Sequence, residues 1–558
     1  MRPYLVSLRS YTIRKKHLHG VVIGLVIVLS ASLFWTRAQQ SSSLVVIEGA
    51  TLIDGTGRAP IANSVVVIEK DRILQVFRQG EREYPAGARV IQAEGKTIIP
   101  ALFDIDTHIA QQGLEAAAQA LTNYLYYGVT NISDTGVSLI HGEGLKRLEK
   151  EGKFISPRLF EAGPTLTAVG GHPIPVNRGL GRTIDTRTLT QIEGPEDAIR
   201  QVRRYVNELG VVTIKAILES GGDLDYPRMT LETYTALVDE AHRQGMKVYT
   251  HASQLSDARD ALEGGVDLLA HGFSEELTPE SDLAQMIVQK KASWLPDINN
   301  VESTAKMFDD PEIWTDPDVL KTVPAVYRDM IKDPKVRTRL MSRLERSRHS
   351  YETRLRTVKV LYDMGVNILV GTDSTGAPHR MFYGFDIHRE LEHLVRAGMK
   401  PMDVIVAATR KAAEYLGQEK DLGTVQAGKI ADLLILAGNP LEDIRNSRSI
   451  EQVIYAGRFI DRDNLPMLDP FKEGLVATGK QEQTITDQQV QEEVAAQFPS
   501  DQGRELVLTQ CSGCHSLQVI LEQRKSKSEW ETTALSMVGE GSQDMEEMVG
   551  YLSKHFGR

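Results

Sequence analysis

Only two cysteines occur in 558 residues, so no disulfide framework can support the large domains. No basic cluster appears beyond the first 20 residues, and the formal net charge is −11, which together exclude a general binder of nucleic acid or other polyanions. Long apolar runs are equally scarce. The uncharged stretch from Gly20 to Trp35 is slightly shorter than the roughly 20 apolar residues that a membrane span needs. Apolar residues make up 41% and charged residues 25%, the composition of a soluble globular protein rather than a disordered or membrane-embedded one. A chain of this length exceeds one ordinary core, so two or three domains are expected.

Arg2, Arg9, Arg14, Lys15 and Lys16 precede the uncharged stretch, and Thr36-Arg37-Ala38 follows it as a small-x-small cleavage site. That three-part pattern predicts a secretory signal over residues 1–38, either removed or kept as a membrane anchor through residues 20–35. In both cases the rest of the chain is exported, to the periplasm or facing it from the membrane.

Both cysteines sit in Cys511-Ser512-Gly513-Cys514-His515. This is the attachment pattern of c-type haem, with two thioethers to the vinyl groups and the adjacent imidazole placed to reach iron. Such haem is attached outside the cytoplasm, in agreement with the signal. The plainer alternatives are a thiol redox pair or part of a zinc site. Zinc would want a fourth ligand where only His555 and carboxylates are at hand, and the motif lacks a thioredoxin-like βαβ frame. Residues 500–558 resemble small cytochrome c domains, all-α, with Trp530 and Tyr551-Leu552 in later helices. That resemblance implies Met537 as the sixth haem ligand, with Met545 and Met548 as competitors, and a redox partner. A polar, Gln- and Glu-rich linker over residues 463–499 precedes the domain.

Strand-like pieces separated by Gly, Pro and Asp fill the run from Leu44 to Pro100 and recur from Gly423 to Ile460, which predicts one discontinuous β-sandwich over residues 44–99 and 419–462. Between them, residues 100–418 read as eight strands alternating with helices: Ile98–Phe103, Val129–Asp134, Arg158–Gly163, Val211–Ile214, Lys247–Thr250, Val266–Ala270, Ala292–Pro296 and Asn367–Gly371. Alternation of this kind predicts a parallel sheet closed as a (β/α)8 TIM barrel, an α/β fold whose catalytic residues converge from the carboxyl ends of the strands. The charged stretch from Asn299 to Arg356, interrupted by Pro311, Pro317, Pro324 and Pro334, is expected to form helices over the barrel mouth.

At or just past strand ends stand Asp106-Thr107-His108, Lys215, His251, His271 and Asp373. Each alone is more often a satisfied polar group or a surface charge. Imidazoles, carboxylates and a lysine in that order, beside Gly or other small residues, suggest a bound divalent metal that keeps an open coordination position. The order resembles the metal-dependent amidohydrolase superfamily, in its imidazolonepropionase-like and Xaa-Pro dipeptidase-like branch, over about Leu44 to Arg462. Gly423-Thr424-Val425-Gln426-Ala427-Gly428-Lys429-Ile430-Ala431-Asp432-Leu433 also resembles the closing segment of that family's sandwich.

The resemblance implies two metals bridged by a carboxylated Lys215 and a hydroxide, with His108, His251 and His271 as ligands and Asp373 as ligand and proton acceptor. The family usually has His-x-His where this chain has Asp106-Thr107-His108. Asp106 can still ligate zinc through oxygen while making bound water less acidic, or the first position is weakened or empty. His172, in Gly170-Gly171-His172-Pro173, is a further catalytic candidate for contacting substrate, or else a loop-structuring residue. His349, His379, His388 and His393 show no usable spacing.

The expected activity is hydrolysis of a C–N bond in a small peptide, an acylated amino acid or a cyclic amide, with one or two divalent ions, zinc foremost. The competing expectation is an electron-transfer protein whose barrel is a degraded binding or docking module.

Overall fold

Small-domain strands lie in two blocks that flank the buried barrel strands along the chain, and the computed structural model joins the two blocks in one sheet beside one ring. It describes residues 44–84, 87–109, 114–136, 155–175, 188–273, 275–375, 382–465, 498–504, 507–508, 526–528, 530–531 and 543–557. The signal segment therefore lies outside the described residues, as do Cys511, Cys514, His515 and Met537 of the haem motif.

The first block contributes β1 (Leu44–Leu52), β2 (Ile61–Glu69), β3 (Arg72–Arg78), β4 (Arg89–Gln92) and β5 (Thr97–Pro100). The barrel block contains β6 (Leu102–Thr107), β7 (Val129–Asp134), β8 (Arg158–Glu161), β9 (Thr165–Ala168), the edge strand β10 (Leu189–Ile192), β11 (Ile214–Ile217), β12 (Val248–His251), β13 (Leu268–Ala270) and β14 (Ser293–Leu295). The closing block adds β15 (Leu433–Leu436), β16 (Ile450–Tyr455) and β17 (Arg458–Ile460).

The two flanking blocks form one eight-stranded sheet in the order β17-β16-β15-β5-β1-β2-β3, with β4 on β1. The discontinuous element expected as a sandwich is thus continuous by hydrogen bonding, because β5 pairs antiparallel with β15 and parallel with β1. One face buries Ile47, Leu52, Val66, Ile98, Leu433 and Ile454. The other turns Ile99, Leu434, Leu436 and Val453 into the large core of the barrel and its helices. Gly128, at φ +74°, lets the chain pass so close that a Cβ there would lie 2.6 Å from a methyl of Leu434.

In the ring, β6, β7 and β8 run parallel, as do β9, β11, β12, β13 and β14. β8 and β9 together serve as the third position: β8 pairs with β7 and β9 pairs with β11. The segment 367–371 closes the ring between β14 and β6, through Leu369 N to Trp294 O (3.0 Å) and Ile105 N to Val370 O (3.3 Å). Phe103, Ile105, Phe160, Tyr249, Leu268, Leu295 and Leu369 fill the interior. β6 and β7 are buried along their whole length, which is why both faces of these strands avoid exposed charge.

Several strand boundaries differ from the sequence expectation. Ile98–Phe103 is two strands rather than one: β5 belongs to the flanking sheet, and the barrel strand begins at Leu102 after Pro100, which offers no amide. Asp106 therefore lies inside β6. The fourth strand starts at Ile214 rather than Val211, because the left-handed Gly210 ends the preceding helix and Val212 is spent on Glu161 O. Lys215 and His251 accordingly sit within strands.

The stretch from Asn299 to Arg356 is helical, as its period predicts, but its prolines begin helices instead of interrupting them. Pro311, Pro317 and Pro334 each open a turn after an aspartate, and Asp316 and Asp333 accept hydrogen bonds from the first free amides. His388 is a buried structural residue between Ser447 Oγ and Tyr127 O, and His393 bridges Tyr351 and Glu302. Near the C-terminus the helix Gln543–Phe556 buries Met548 and Tyr551, and Trp530 Nε1 donates to Phe556 O at 3.2 Å. Among the described residues no helix is long and apolar enough to cross a membrane.

The barrel and the sheet meet at Asp432, whose Oδ2 accepts from Thr130 Oγ1 at 3.0 Å and from the Arg158 guanidinium, while Oδ1 accepts from Ala456 N at 2.8 Å. Removing this carboxylate leaves a cation half-sheltered without its partner. Asp432→Ala is expected to lower unfolding stability by about 3 kcal/mol in chemical denaturation, with activity per folded molecule preserved. A loss below about 0.5 kcal/mol would contradict the role given to this tie.

Candidate metal centre

Alternation along β6 would place Asp104 and Asp106 on the same face. They part because the β6–β7 register shifts between Asp104 and Thr107. Asp104 turns toward the helix layer, accepting from Tyr124 OH (3.1 Å), Thr372 N (3.1 Å) and Thr372 Oγ1 (2.6 Å), and burial raises its pKa to about 7. Asp106 turns inward, where Tyr249 OH donates to Oδ2 and Thr135 Oγ1 donates to Oδ1 at 2.6 Å. It is fully buried.

Ring closure then brings the two ends of the barrel sequence together. Asp373 N donates to Asp106 O at 2.9 Å, and His108 N to Ser374 O at 2.9 Å. Across this junction His108 Nε2 stands 3.2 Å from Asp373 Oδ1 and 3.9 Å from Asp106 Oδ1. Burial works against protonation of His108, but the hydrogen bond and charge of Asp373 outweigh it and raise its pKa. Asn300 Nδ2 donates to the other oxygen of Asp373.

On the next strands, alternation does the positioning. In β11, Ile214 and Ala216 join the outer core while Lys215 faces the interior, opposite Tyr249 of β12. Its Nζ lies 3.4 Å from the centroid of the Tyr249 ring and has no hydrogen-bond partner. Burial lowers its pKa. His251 ends β12 with Nε2 3.5 Å from Glu219 Oε2. Its ring stands edge-on to His271 at 4.5 Å and stacks on His172 at 4.7 Å. His271 follows β13 in a left-handed conformation, φ 65°, with Nδ1 2.8 Å from Asp297 Oδ2.

Burial, reinforced by neighbouring imidazoles, lowers His172 to about 3 and His251 to about 4; burial likewise lowers His271 to about 4. All three are neutral at pH 7, the form in which imidazole binds a metal or offers one N–H. Burial would raise Glu219, but the hydrogen bond and charge of His251 hold it at about 2.

Two sets of donors are close enough for an ion: Asp106, His108 and Asp373, and Asp106, His271 and Asp297, the atoms of each set lying within 4.8 Å of one another. Asp106 belongs to both. The predicted residues Asp106, His108, His271 and Asp373 thus come together, while His251 and Lys215 border the sets without joining them. His172 joins this group through its stack on His251, with Nδ1 buried and unpartnered. The donors are imidazole nitrogen and carboxylate oxygen, which suit zinc and similar divalent ions, so the site fits a metal.

Sequence reasoning missed Asp297, Asn300, Tyr249, Thr135 and Glu219. Asp297 directly follows the expected strand Ala292–Pro296, so the strand-end rule already pointed to it. Tyr249 and Thr135 carry no motif of their own.

The chain resembles several known proteins. The chain is 23% identical over 449 residues to ochratoxinase of Aspergillus niger, covering 72% of this chain and 83% of that one. It is 24% identical over 404 residues to imidazolonepropionase of Mesorhizobium japonicum, covering 69% and 89%. Among solved structures it shares its fold with a Xaa-Pro dipeptidase holding methionine in its active site, at TM-score 0.58 and 24% identity over 75% of this chain and 99% of that chain. Phenylurea hydrolase B has the same fold, at TM-score 0.60 and 21% identity over 76% and 98%. Residues 97–460 match the amidohydrolase family, and the chain belongs to that family as a hydrolase acting on carbon–nitrogen bonds.

Proposed function

We propose that this chain hydrolyses an amide in a small peptide, an acylated amino acid or a cyclic amide, outside the cytoplasm, and that its C-terminal segment carries a c-type haem for electron transfer to a redox partner. The observation that carries the hydrolytic part is the pair His108 and Asp373, 3.2 Å apart at the junction that closes the barrel. A divalent ion held there by Asp106, His108 and Asp373 would polarise an amide carbonyl and acidify water.

Asp373 takes the proton of the attacking water at Oδ1 and delivers it to the leaving nitrogen, while Asn300 holds its other oxygen in place. His108 steadies the charged carboxylate. Neutral His172, stacked on His251, offers a ring N–H toward the substrate carbonyl oxygen. Asp106 adds negative charge where the superfamily usually has imidazole, so more of the proton transfer falls to Asp373.

The haem reading rests on the Cys511 to His515 motif, and export rests on residues 1–38. The family membership and the polar linker leave room for both functions in one polypeptide.

Asp373→Asn keeps the size and one oxygen but removes the base. It is expected to lower kcat about 100- to 10,000-fold on dipeptides or N-acyl amino acids, compared at equal metal content by elemental analysis. Unaltered turnover would refute the assignment, and absence of both metal and turnover in the native chain would favour the electron-transfer reading.

Acidification gives a second check. A ring titrating at about 4 rather than 6.5 keeps its lone pair throughout that interval, so His271 should hold its ion down to about pH 4. Release already complete at about pH 6.5 would show this ring to be outside the coordination sphere. For the tail, chain matured in an exporting, haem-attaching host should show a covalent c-type haem spectrum that Cys514→Ser diminishes; a native chain without haem would remove that part of the proposal.

A further inference from the structure

Asp297 lies outside the superfamily-like series, yet its backbone is held on both sides at the rim. It follows β14 in a left-handed conformation, φ 43°, and its residue is fully buried. Its backbone is fixed on both sides. Arg354 Nη1 donates to Pro296 O at 2.9 Å and to Asp297 O at 3.0 Å. Beyond it, Ile298 N and Asn299 N each donate to the buried Glu390 carboxylate at 2.9 Å. Gly272, next to His271, leaves room for this clamp, since a Cβ there would lie 2.1 Å from Arg354 Nε.

The two oxygens of Asp297 are used differently. Oδ2 faces His271 Nδ1 at 2.8 Å, while Oδ1 is buried and has no hydrogen-bond partner. A buried carboxylate oxygen without a donor is costly unless a cation meets it. Lys215, buried nearby, does not fill that role, because its Nζ is itself without a partner over the Tyr249 ring. Asp106, His271 and Asp297 each bring one donor atom within 4.8 Å of the others.

We propose that Asp297 is an additional cation ligand in this chain. Its Oδ1 binds the ion held with Asp106 and His271, while its Oδ2 takes the Nδ1 proton of His271 and so leaves Nε2 as that ring's donor. The position has two carboxylates and one imidazole, a harder set than imidazoles alone, and selects small divalent ions such as zinc, cobalt or manganese. This rests on the reading that the strand-end cluster holds a divalent ion.

The test uses the whole chain, stripped with chelator and titrated with Co2+, followed by elemental analysis and visible absorption. Asp297→Asn keeps an oxygen for the His271 ring but loses the charged donor. Loss of a partner that merely orients a ligand costs about 10- to 100-fold in affinity. A true ligand should cost more: the variant is expected to lose Co2+ from the Asp106–His271–Asp297 position altogether and to show an altered visible band. Binding within about 100-fold of native, with an unchanged band, would overturn the proposal and leave Asp297 as a positioning residue. If native chain binds no Co2+, the metal reading itself fails and takes this inference with it. Should Asp297→Asn not fold, by circular dichroism, Asp297→Ser is titrated in its place with the same two outcomes.

Discussion

The site depends on one junction: the backbone of residues 367–373 hydrogen-bonding to β6. Leu369 N to Trp294 O ties the segment to the seventh strand, and Ile105 N to Val370 O and Asp373 N to Asp106 O tie it to the first. Without those bonds Asp106 and Asp373, 267 positions apart in sequence, would be separate polar groups on an open sheet. With them, His108, Asp106 and Asp373 become one buried cluster. Gly371 allows the approach, for a Cβ there would already press on Asp106 at 3.0 to 3.1 Å.

Around that junction the barrel concentrates negative charge. Asp104, Asp106, Asp297 and Asp373 are all buried on or just after three successive strands of the ring, and burial pushes the Asp297 carboxyl well above its ordinary range. The protein offsets this in layers. Hydroxyls of Thr135, Tyr249, Thr372 and Tyr124 donate to Asp106 and Asp104. The insertion between β14 and the closing segment supplies Asn300 to Asp373 and is anchored by Glu390 and by the buried pair Lys306–Asp386. The insertion is therefore part of the catalytic rim.

Substitution of aspartate for the usual first histidine has consequences beyond one ligand. A carboxylate can serve two neighbouring ions, and Asp106 is the member common to both donor sets. It also needs hydrogen-bond donors where a histidine would need acceptors. Thr135 and Tyr249 meet that demand, and Tyr249 in turn presents its ring face to Lys215. The departure is thus integrated into the surrounding packing.

Much of this was legible in the chain itself. Apolar runs alternating with helical stretches disclosed the barrel, and His108, His271 and Asp373 were marked by position, because a strand end is a local property of sequence. Local pattern could also find Asp106, though not its direction: the register shift that separates it from Asp104 exists only once β6 pairs with β7. Which apolar run belongs to which sheet was likewise undecidable, since Thr97–Pro100 and Leu102–Thr107 look alike until β15 arrives to claim the former. Asp297, Asn300 and Tyr249 acquire meaning only through side chains meeting across the closed ring. Composition and periodicity determined the architecture and most of the donors; tertiary closure decided which donors come within reach of one another, because distances between strand ends are set by pairing and not by order along the chain.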